Sequence, residues 1–231
     1  NLNYISSKIL EINKNIIKRD KYEEIISNFF LKNLSYEKFG FFKLNKKELF
    51  NQNTEIQIQI IKKILTTISG EIFPPRKKSV ENLLIQIKKE EKITKTLHFT
   101  NITSKNKYIH FIRESQKTKK EMEKGLNVMA GESNIWDKRF LITTRDSNLK
   151  CELISNKNWD KVNYEFFSKN KREISYEIIK TLPLILCKGK KFIPFVNSRK
   201  NFLDLGIEFF FYPKIPLTSN KFSIINCVSI K

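Results

Sequence analysis

The sequence predicts an α+β fold, in which a helical subdomain over residues 1–92 precedes a mixed subdomain of β-hairpins and short helices over residues 93–231. Up to residue 92, apolar residues recur at the three-and-four spacing of amphipathic helices. Beyond it, short β-rich runs alternate with polar turns. With 231 residues, of which 40% are hydrophobic, the chain is long enough to bury a substantial core.

Helical patterns extend over most of the first subdomain. Residues 4–17 and 20–33 each place apolar side chains on one face, which predicts two separate helices. In NKKE at 45–48, Asn45 and Glu48 have the spacing of a capping box, which predicts a short helix from this point.

The clearest helix is predicted between Thr54, as its N-cap, and Gly70, as a left-handed C-terminal cap. Its apolar residues form one buried stripe: Ile56, Ile60, Ile61, Ile64, Leu65 and Ile68. The segment PPRKKS at 74–79 then predicts a rigid turn, with Ser79 as the N-cap of another helix.

In the second subdomain, residues 96–102 and 108–113 predict a hairpin, and residues 115–132 predict a polar loop. Strands are predicted at 139–144 and 150–154, followed by two helices, the second of which ends before Pro183. The tail is predicted to alternate short apolar strands with turns, through LPLIL, KFIPFV, IEFFFY and FSIINCV.

The net charge indicates the class of partner. It is +20, from 44 basic and 24 acidic residues. Such an excess repels itself unless a polyanion neutralises it, which favours a nucleic acid. A/T-rich codons also encode Lys, Ile and Asn, so a lysine-rich surface without a partner is the alternative interpretation.

Cysteine and histidine usage argues against a disulfide framework and against a metal site. The three cysteines, Cys151, Cys187 and Cys227, are far apart, and the only histidines are His98 and His110. No apolar run is long enough for a membrane span, and no signal-peptide pattern is present, so we expect a cytoplasmic protein. Because the chain begins with Asn1, we expect it to be a segment of a longer protein.

No catalytic constellation is predicted. The SGE sequence at 69–71 lacks the second glycine, the acid and the serine of an ATP-pyrophosphatase loop, and no other phosphate-binding motif occurs. The Asp residues are scattered along the chain. The sequence therefore predicts neither catalytic residues nor a cofactor within this segment.

Two basic turns are candidate phosphate contacts. The first also begins a helix, where backbone amides favour anions. The candidates are Arg76, Lys77 and Lys78 in FPPRKK, and Lys188, Lys190 and Lys191 in KGKK. The alternative for both turns is a solvated run of charge, and Arg76 has the further alternative of pinning its turn to a carboxylate.

Arg113 ends the predicted hairpin beside Glu114. Adjacent residues of a strand point to opposite faces, so one of the two is expected to face a partner or another element. We include Arg113 among the candidate RNA contacts.

The WDKRF sequence at 136–140 allows two interpretations. On a strand, Trp136, Lys138 and Phe140 would share one face, and Asp137 and Arg139 the other. The favoured interpretation makes Trp136 and Phe140 structural anchors in the core, because large aromatic residues at the start of a strand usually pack. In the alternative, Trp136 stacks on a base and Arg139 binds a phosphate. Lys138 and Arg139 therefore complete the set of candidate RNA contacts.

Four stretches in order resemble one family. They are ISGEIFPPRKKSVENLL (68–84), TLHFTNI…YIHFIRES (96–115), WDKRFLI (136–142) and TLPLILCKGKKFIPFVN (181–197). Together they resemble the C-terminal half of the tRNA(Ile)-lysidine synthetases, in the form found in alphaproteobacteria. Two departures are Glu71, where a second glycine usually precedes the PPR turn, and His98 or Phe99, where a hairpin glycine is expected.

The resemblance implies part of an ATP-dependent ligase that attaches lysine to the wobble cytidine of a CAU anticodon in an isoleucine tRNA. ATP with Mg, and lysine, would be used by an N-terminal ATP-pyrophosphatase domain with an SGGxDS loop, which this sequence lacks. Residues 93–231 would belong to a region that recognises tRNA, and this segment alone would not be catalytic. The alternative is a stand-alone basic RNA- or DNA-binding protein without catalytic activity.

Overall fold

The computed structural model describes residues 2–167, 174–196, 202 and 204–218, which contain seven helices and twelve strands. The helices are α1 (Leu2–Asn33), α2 (Lys46–Phe50), α3 (Thr54–Ser69), α4 (Lys77–Lys89), α5 (Ser115–Glu121), α6 (Asn156–Phe167) and α7 (Tyr176–Ile179). None of these helices has the length and apolar character needed to cross a bilayer.

The strands form three antiparallel sheets, and the predicted α+β class is confirmed. The strands are β1 (Leu34–Glu37), β2 (Phe41–Asn45), β3 (Lys92–Leu97), β4 (Thr100–Lys105), β5 (Tyr108–Arg113), β6 (Leu126–Val128), β7 (Ser133–Trp136), β8 (Phe140–Thr144), β9 (Leu149–Leu153), β10 (Pro183–Cys187), β11 (Lys190–Phe192) and β12 (Ile207–Phe211). Their orders within the sheets are β1-β2-β5-β4-β3, β11-β10-β9-β6 and β12-β8-β7.

The first hydrophobic core is built on α3. Its apolar stripe is buried as predicted, and Gly70 ends the helix with a φ of 65°. The N-cap, however, is Asn53, whose side chain accepts a hydrogen bond from the amide of Ile56 at 3.0 Å, and Thr54 is the first helical residue. Both side chains are suitable caps, so the sequence alone did not separate the two positions.

The two helices predicted at 4–17 and 20–33 form the single helix α1. The residues between them are Lys18 and Arg19, which do not break a helix, and no Gly or Pro interrupts the pattern. The capping of α2 by Asn45 occurs as predicted, with hydrogen bonds from the amides of Lys47 and Glu48 to its side chain.

Strands β1 and β2 lie within the segment that was predicted to be helical. Strand β2 pairs with β5, with Phe42 opposite Phe111, so residues on both sides of Lys92 share one sheet and one core. The predicted boundary after Lys92 therefore falls inside a packed unit. Strands of four or five residues show too few alternations to stand out from neighbouring helical patterns.

The predicted hairpin at 96–113 is a three-stranded meander of β3, β4 and β5. Its first turn lies at His98 and Phe99, whose φ angles of 51° and 57° are in the left-handed region that glycine adopts most readily. The predicted loop at 115–132 contains α5 and β6. Helix α5 was missed because its buried residues, Ser115 and Thr118, are polar and form no apolar stripe.

The second core lies between the β11-β10-β9-β6 sheet, the β12-β8-β7 sheet and helices α6 and α7. The predicted strands at 139–144 and 150–154 correspond to β8 and β9 within one residue. LPLIL overlaps all of β10 except Cys187, and IEFFFY contains β12. In KFIPFV only Lys191 and Phe192 belong to a strand, the end of β11. The FSIINCV segment lies outside the described residues.

Candidate nucleic-acid interface

The WDKRF segment forms a tight turn rather than the start of a strand. Trp136 ends β7 and Phe140 begins β8, and the amide of Arg139 donates to the carbonyl of Trp136 at 3.0 Å. Asp137 and Lys138 lie in the left-handed region, with φ angles of 49° and 58°. The predicted alternation of faces is therefore wrong, and this strained backbone is held by the contacts of its side chains.

A buried charge cluster forms around Asp137. Its Oδ1 accepts a hydrogen bond from Nη2 of Arg113 at 2.8 Å, and its Oδ2 accepts one from Nη2 of Arg139 at 2.6 Å. The hydroxyl of Thr118 donates to the same Oδ2 at 2.8 Å. All three charged side chains are fully buried. One carboxylate thus ties β5, α5 and the β7–β8 turn together.

Burial raises the pKa of Asp137, but the guanidinium groups of Arg139 and Arg113 outweigh that effect, and the pKa lies below its usual value. Asp137 is therefore ionised at neutral pH. The second cation of the cluster is offset by Glu121, which accepts from Nη2 of Arg113 at 2.8 Å.

The two arginines also bind backbone carbonyls in distant parts of the chain. Arg113 donates from Nη1 to the carbonyl of Ser69 at 2.8 Å, and Arg139 donates from Nη1 to the carbonyl of Gly40 at 3.2 Å. Because neither guanidinium has exposed surface, neither can contact an RNA phosphate in this conformation. We therefore replace the expectation that Arg113 and Arg139 bind RNA with a structural role.

Trp136 and Phe140 are both fully buried. The indole Nε1 of Trp136 donates to the carbonyl of Thr181 at 3.0 Å, so its polar group has a partner. The ring of Phe140 stacks on Phe209 with their centroids 4.9 Å apart. Neither ring is accessible to a nucleotide base.

Lys138 lies at the edge of the cluster, and a third of its side chain is exposed. Its Nζ pairs with Glu121 at 2.9 Å and with Glu71 at 3.2 Å. Burial lowers the pKa of Lys138, but the bonds to Glu121 and Glu71 outweigh it and leave the pKa raised. An RNA phosphate would have to compete with these two carboxylates for the ammonium group of Lys138, so Lys138 is a weaker candidate for an RNA contact than a lysine without such partners.

The loop before the PPR turn packs directly on Lys138. A Cβ at Gly70 would lie 2.7 Å from the Cβ of Lys138, and Gly70 has a φ of 65°. Both the close approach and the backbone conformation require glycine here. The position of Lys138 thus depends on Gly70, and the start of this loop is held against the β7–β8 turn, where Glu71 also pairs with Lys138.

The first basic turn projects into solvent. Arg76, Lys77 and Lys78 are exposed, and Lys77 pairs with Glu55 at 2.9 Å. Helix α4 begins at Lys77, with Arg76 at its N-cap and no side-chain cap. Ser79 is inside the helix instead of capping it, because the N-cap lies three residues earlier, directly after the two prolines, and the carbonyl of Arg76 accepts the first amide hydrogen bonds.

The late basic turn is the connection between β10 and β11. Lys188, Lys190 and Lys191 are exposed, and the backbone of Lys188 and Gly189 has φ angles of 48° and 73°. Lys191 pairs with Glu165 at 3.3 Å. Because an exposed ion pair contributes little free energy, the pairing of Lys191 is easily exchanged, and each of these lysines remains available to a phosphate.

Sequence reasoning missed the residues that precede the first basic turn. The side chains of Ile72 and Phe73 are 71% and 82% exposed, although large apolar residues are usually buried. The signal was present in FPPRKK, where an aromatic residue adjoins three cations, a combination typical of single-strand binding surfaces.

We predict that neutralising either basic turn weakens RNA binding and flattens its salt dependence by about one unit of log–log slope per lost phosphate contact. Each variant changes three cations to Gln. One turn variant replaces Arg76, Lys77 and Lys78, and the other replaces Lys188, Lys190 and Lys191. The control variant replaces Lys8, Lys14 and Lys18 on α1.

Affinity is measured by fluorescence anisotropy with labelled tRNA at several salt concentrations. The melting temperatures of the two turn variants should stay close to that of the unmodified chain, because substitutions of exposed residues rarely affect stability. An equal loss of affinity in the α1 control would mean that binding is spread over the whole charged surface and that the turns are not a site.

Comparison with known proteins gives two curated relatives. The chain is 26% identical over 150 residues to a tRNA(Ile)-lysidine synthase from Rickettsia akari (strain Hartford). The aligned region covers 64% of this chain and 34% of that relative. It is 29% identical over 157 residues to a tRNA(Ile)-lysidine synthase from Rickettsia felis (strain ATCC VR-1525 / URRWXCal2). That aligned region covers 68% of this chain and 33% of the relative.

No protein-family model matches the chain, and no solved structure matches it. The matched region is about a third of the length of the curated relatives. Within that extent, the resemblance read from the motifs is confirmed: this chain is similar to the tRNA(Ile)-lysidine synthases.

Proposed function

We propose that this chain is the tRNA-binding, C-terminal part of a tRNA(Ile)-lysidine synthetase. The observation that carries the proposal is the similarity to two tRNA(Ile)-lysidine synthases over about two thirds of this chain. Three of the motifs meet in the fold, because Arg113 donates hydrogen bonds both to the carbonyl of Ser69 and to the carboxylate of Asp137. Motifs that meet in space in this way are consistent with a shared fold.

The enzyme would join lysine to the wobble cytidine of the CAU anticodon in an isoleucine tRNA, in the cytoplasm. ATP with Mg, and lysine, would be bound by another domain of that enzyme. We propose no catalytic step for the segment itself, because its sequence has no loop that could cradle a triphosphate. Burial raises the pKa of the Cys151 thiol to about 12, so Cys151 is not an activated nucleophile.

The charge supports a polyanionic partner independently of the similarity. The chain carries a net charge of +20, and both basic turns expose their cations. Cations on turns can reach a phosphate without a desolvation cost to the core. Binding of this kind positions an RNA without reading its bases.

The competing proposal is a stand-alone basic RNA- or DNA-binding protein. The reading frame that precedes Asn1 separates the two, because an SGGxDS loop a few hundred codons or less upstream would be expected only for the ligase. Its absence from the gene would favour the stand-alone protein.

The test of the proposed function is the salt dependence of tRNA binding. If the chain neutralises about five phosphates, log K should fall with log salt with a slope near about −4, between the single-strand and duplex coefficients. Anisotropy titrations with tRNA measure this slope, and a duplex DNA of matched charge serves as the comparison. A flat response would mean that the charge is only compositional.

A further inference from the structure

Ile72 and Phe73 form an exposed apolar pair, which we name the Phe73 platform. Their side chains are 71% and 82% exposed. Phe73 is the most exposed of the large hydrophobic side chains in the described part of the chain. Exposing such a ring to water is unfavourable, and exposed apolar surface next to polar groups commonly marks a binding site.

The platform sits on a stiff base. Pro74 and Pro75 follow it directly, Pro75 is buried, and a residue before proline is restricted to extended conformations. On the other side, the carbonyl of Ser69 is held by Arg113, and Gly70 packs against Lys138. A ring held on a rigid segment loses little conformational entropy when it binds a ligand.

The charges around the platform favour an anionic ligand. Among the described residues, Arg76 and Lys78 have no ion-pair partner, whereas Lys77 is paired with Glu55. The nearest acid along the chain, Glu71, is engaged by Lys138 and by Lys117 at 3.2 and 3.3 Å. Phe73 is three residues from Arg76, at most about 10 Å along an extended chain, so one nucleotide and its neighbouring phosphate could contact both.

We propose that Phe73 stacks against the base of an unpaired nucleotide in RNA, with Arg76 and Lys78 binding the adjacent phosphates. The inference rests on the proposed tRNA-binding function and adds the kind of RNA that this site takes. In a duplex both faces of a base are covered by its neighbours, so an exposed ring can stack only on a base that is unpaired or at an end. Stacking of this kind tolerates any base, because every base has a π-face.

The experiment compares Phe73→Ala and Phe73→Trp with Tyr164→Ala. Tyr164 is the matched control, since its side chain is 79% exposed on α6. The probes are a single-stranded RNA of about ten nucleotides, within the usual site size, an abasic RNA with the same number of phosphates, and a long RNA duplex, in which all but the terminal bases are covered on both faces.

We expect Phe73→Ala to bind the single-stranded RNA about 5- to 150-fold more weakly. Its salt slope, its affinity for the duplex and its melting temperature should not change. Phe73→Trp should restore binding, and its added indole fluorescence should be quenched by the intact RNA but not by the abasic RNA. Tyr164→Ala should bind like the unmodified chain.

Equal binding of abasic and intact RNA, or an equal loss with the duplex, would overturn the stacking proposal. If the unmodified chain binds tRNA, and Phe73→Ala binds the single-stranded RNA as tightly as the unmodified chain does, only the stacking proposal fails. If the unmodified chain binds no RNA, the proposed function fails with it. A co-sedimentation assay with phosphatidylglycerol vesicles tests for membrane binding. If Phe73→Ala reduces the amount of protein that pellets with the vesicles but leaves RNA binding unchanged, the platform contacts membranes and the proposal is wrong.

Discussion

Replacing Asp137 with Asn is expected to lower the free energy of unfolding by about 3–5 kcal/mol, because it removes the one anion between two buried guanidinium groups. Both Arg113 and Arg139 are fully buried and bond to Asp137. Asn has nearly the same shape, so the loss reports charge and hydrogen bonding and not a cavity. This loss is a large part of the total free energy of unfolding of a typical domain, which is about 5–15 kcal/mol. Urea unfolding at neutral pH measures it.

The cluster also predicts the direction of the pH dependence. The pKa of Asp137 is lower in the folded chain than in the unfolded chain, where it is about 3.9. The stabilisation is therefore fully present above about pH 5 and is lost as the pH falls through the folded pKa. The stability difference between the unmodified chain and Asp137→Asn should be constant above about pH 5 and should shrink in acid.

Asp146→Asn is the control, since Asp146 is exposed in the turn that follows β8. It also removes one negative charge, but its effect should stay within about 0.5 kcal/mol. If both variants unfold alike, the buried cluster contributes nothing specific, and the structural role given to Arg113 and Arg139 would be wrong.

Replacing Trp136 with Ala is expected to destabilise the chain by about 3–5 kcal/mol, through lost apolar burial and the cavity that remains. The indole is fully buried, and its removal also leaves the carbonyl of Thr181 without that donor. Trp159→Ala is the control of the same residue type, because Trp159 is half-buried against Tyr176 and should cost less.

Thermal unfolding and tRNA affinity should be measured on the same Trp136→Ala sample. Any loss of affinity should follow the loss of folded protein. A variant that keeps its melting temperature but loses tRNA affinity would support the base-stacking interpretation of Trp136 and contradict its structural role.

The sequence predicted best where one local pattern determines the structure. Helix α3 was predictable because its isoleucine stripe and Gly70 indicate the same element, although the N-cap is Asn53 and not Thr54 as predicted. The WDKRF turn was not predictable, because it places two residues other than glycine in the left-handed region. Such a turn persists only through contacts that residues far along the chain supply.

The candidate site shows the same limit. Exposed cations on turns, such as Arg76 and Lys188, were predictable because turns lie at the surface. The burial of Arg113 was not, since its partner Asp137 is 24 residues away. Phe73 was overlooked because an aromatic residue is expected in the core, and only the folded structure shows that this one is left in water.

The contacts of the β7–β8 turn also determine whether the chain can be divided. Arg139 bonds to Gly40, 99 residues away, while Trp136 bonds to Thr181, 45 residues away in the other direction. A cut after residue 92 would separate the Gly40 and Ser69 carbonyls from the guanidinium groups that satisfy them. Each piece would keep buried polar groups without partners, so neither is expected to fold alone. Deletion mapping would therefore report loss of folding, and the surface that binds a ligand has to be located with single substitutions in the intact chain.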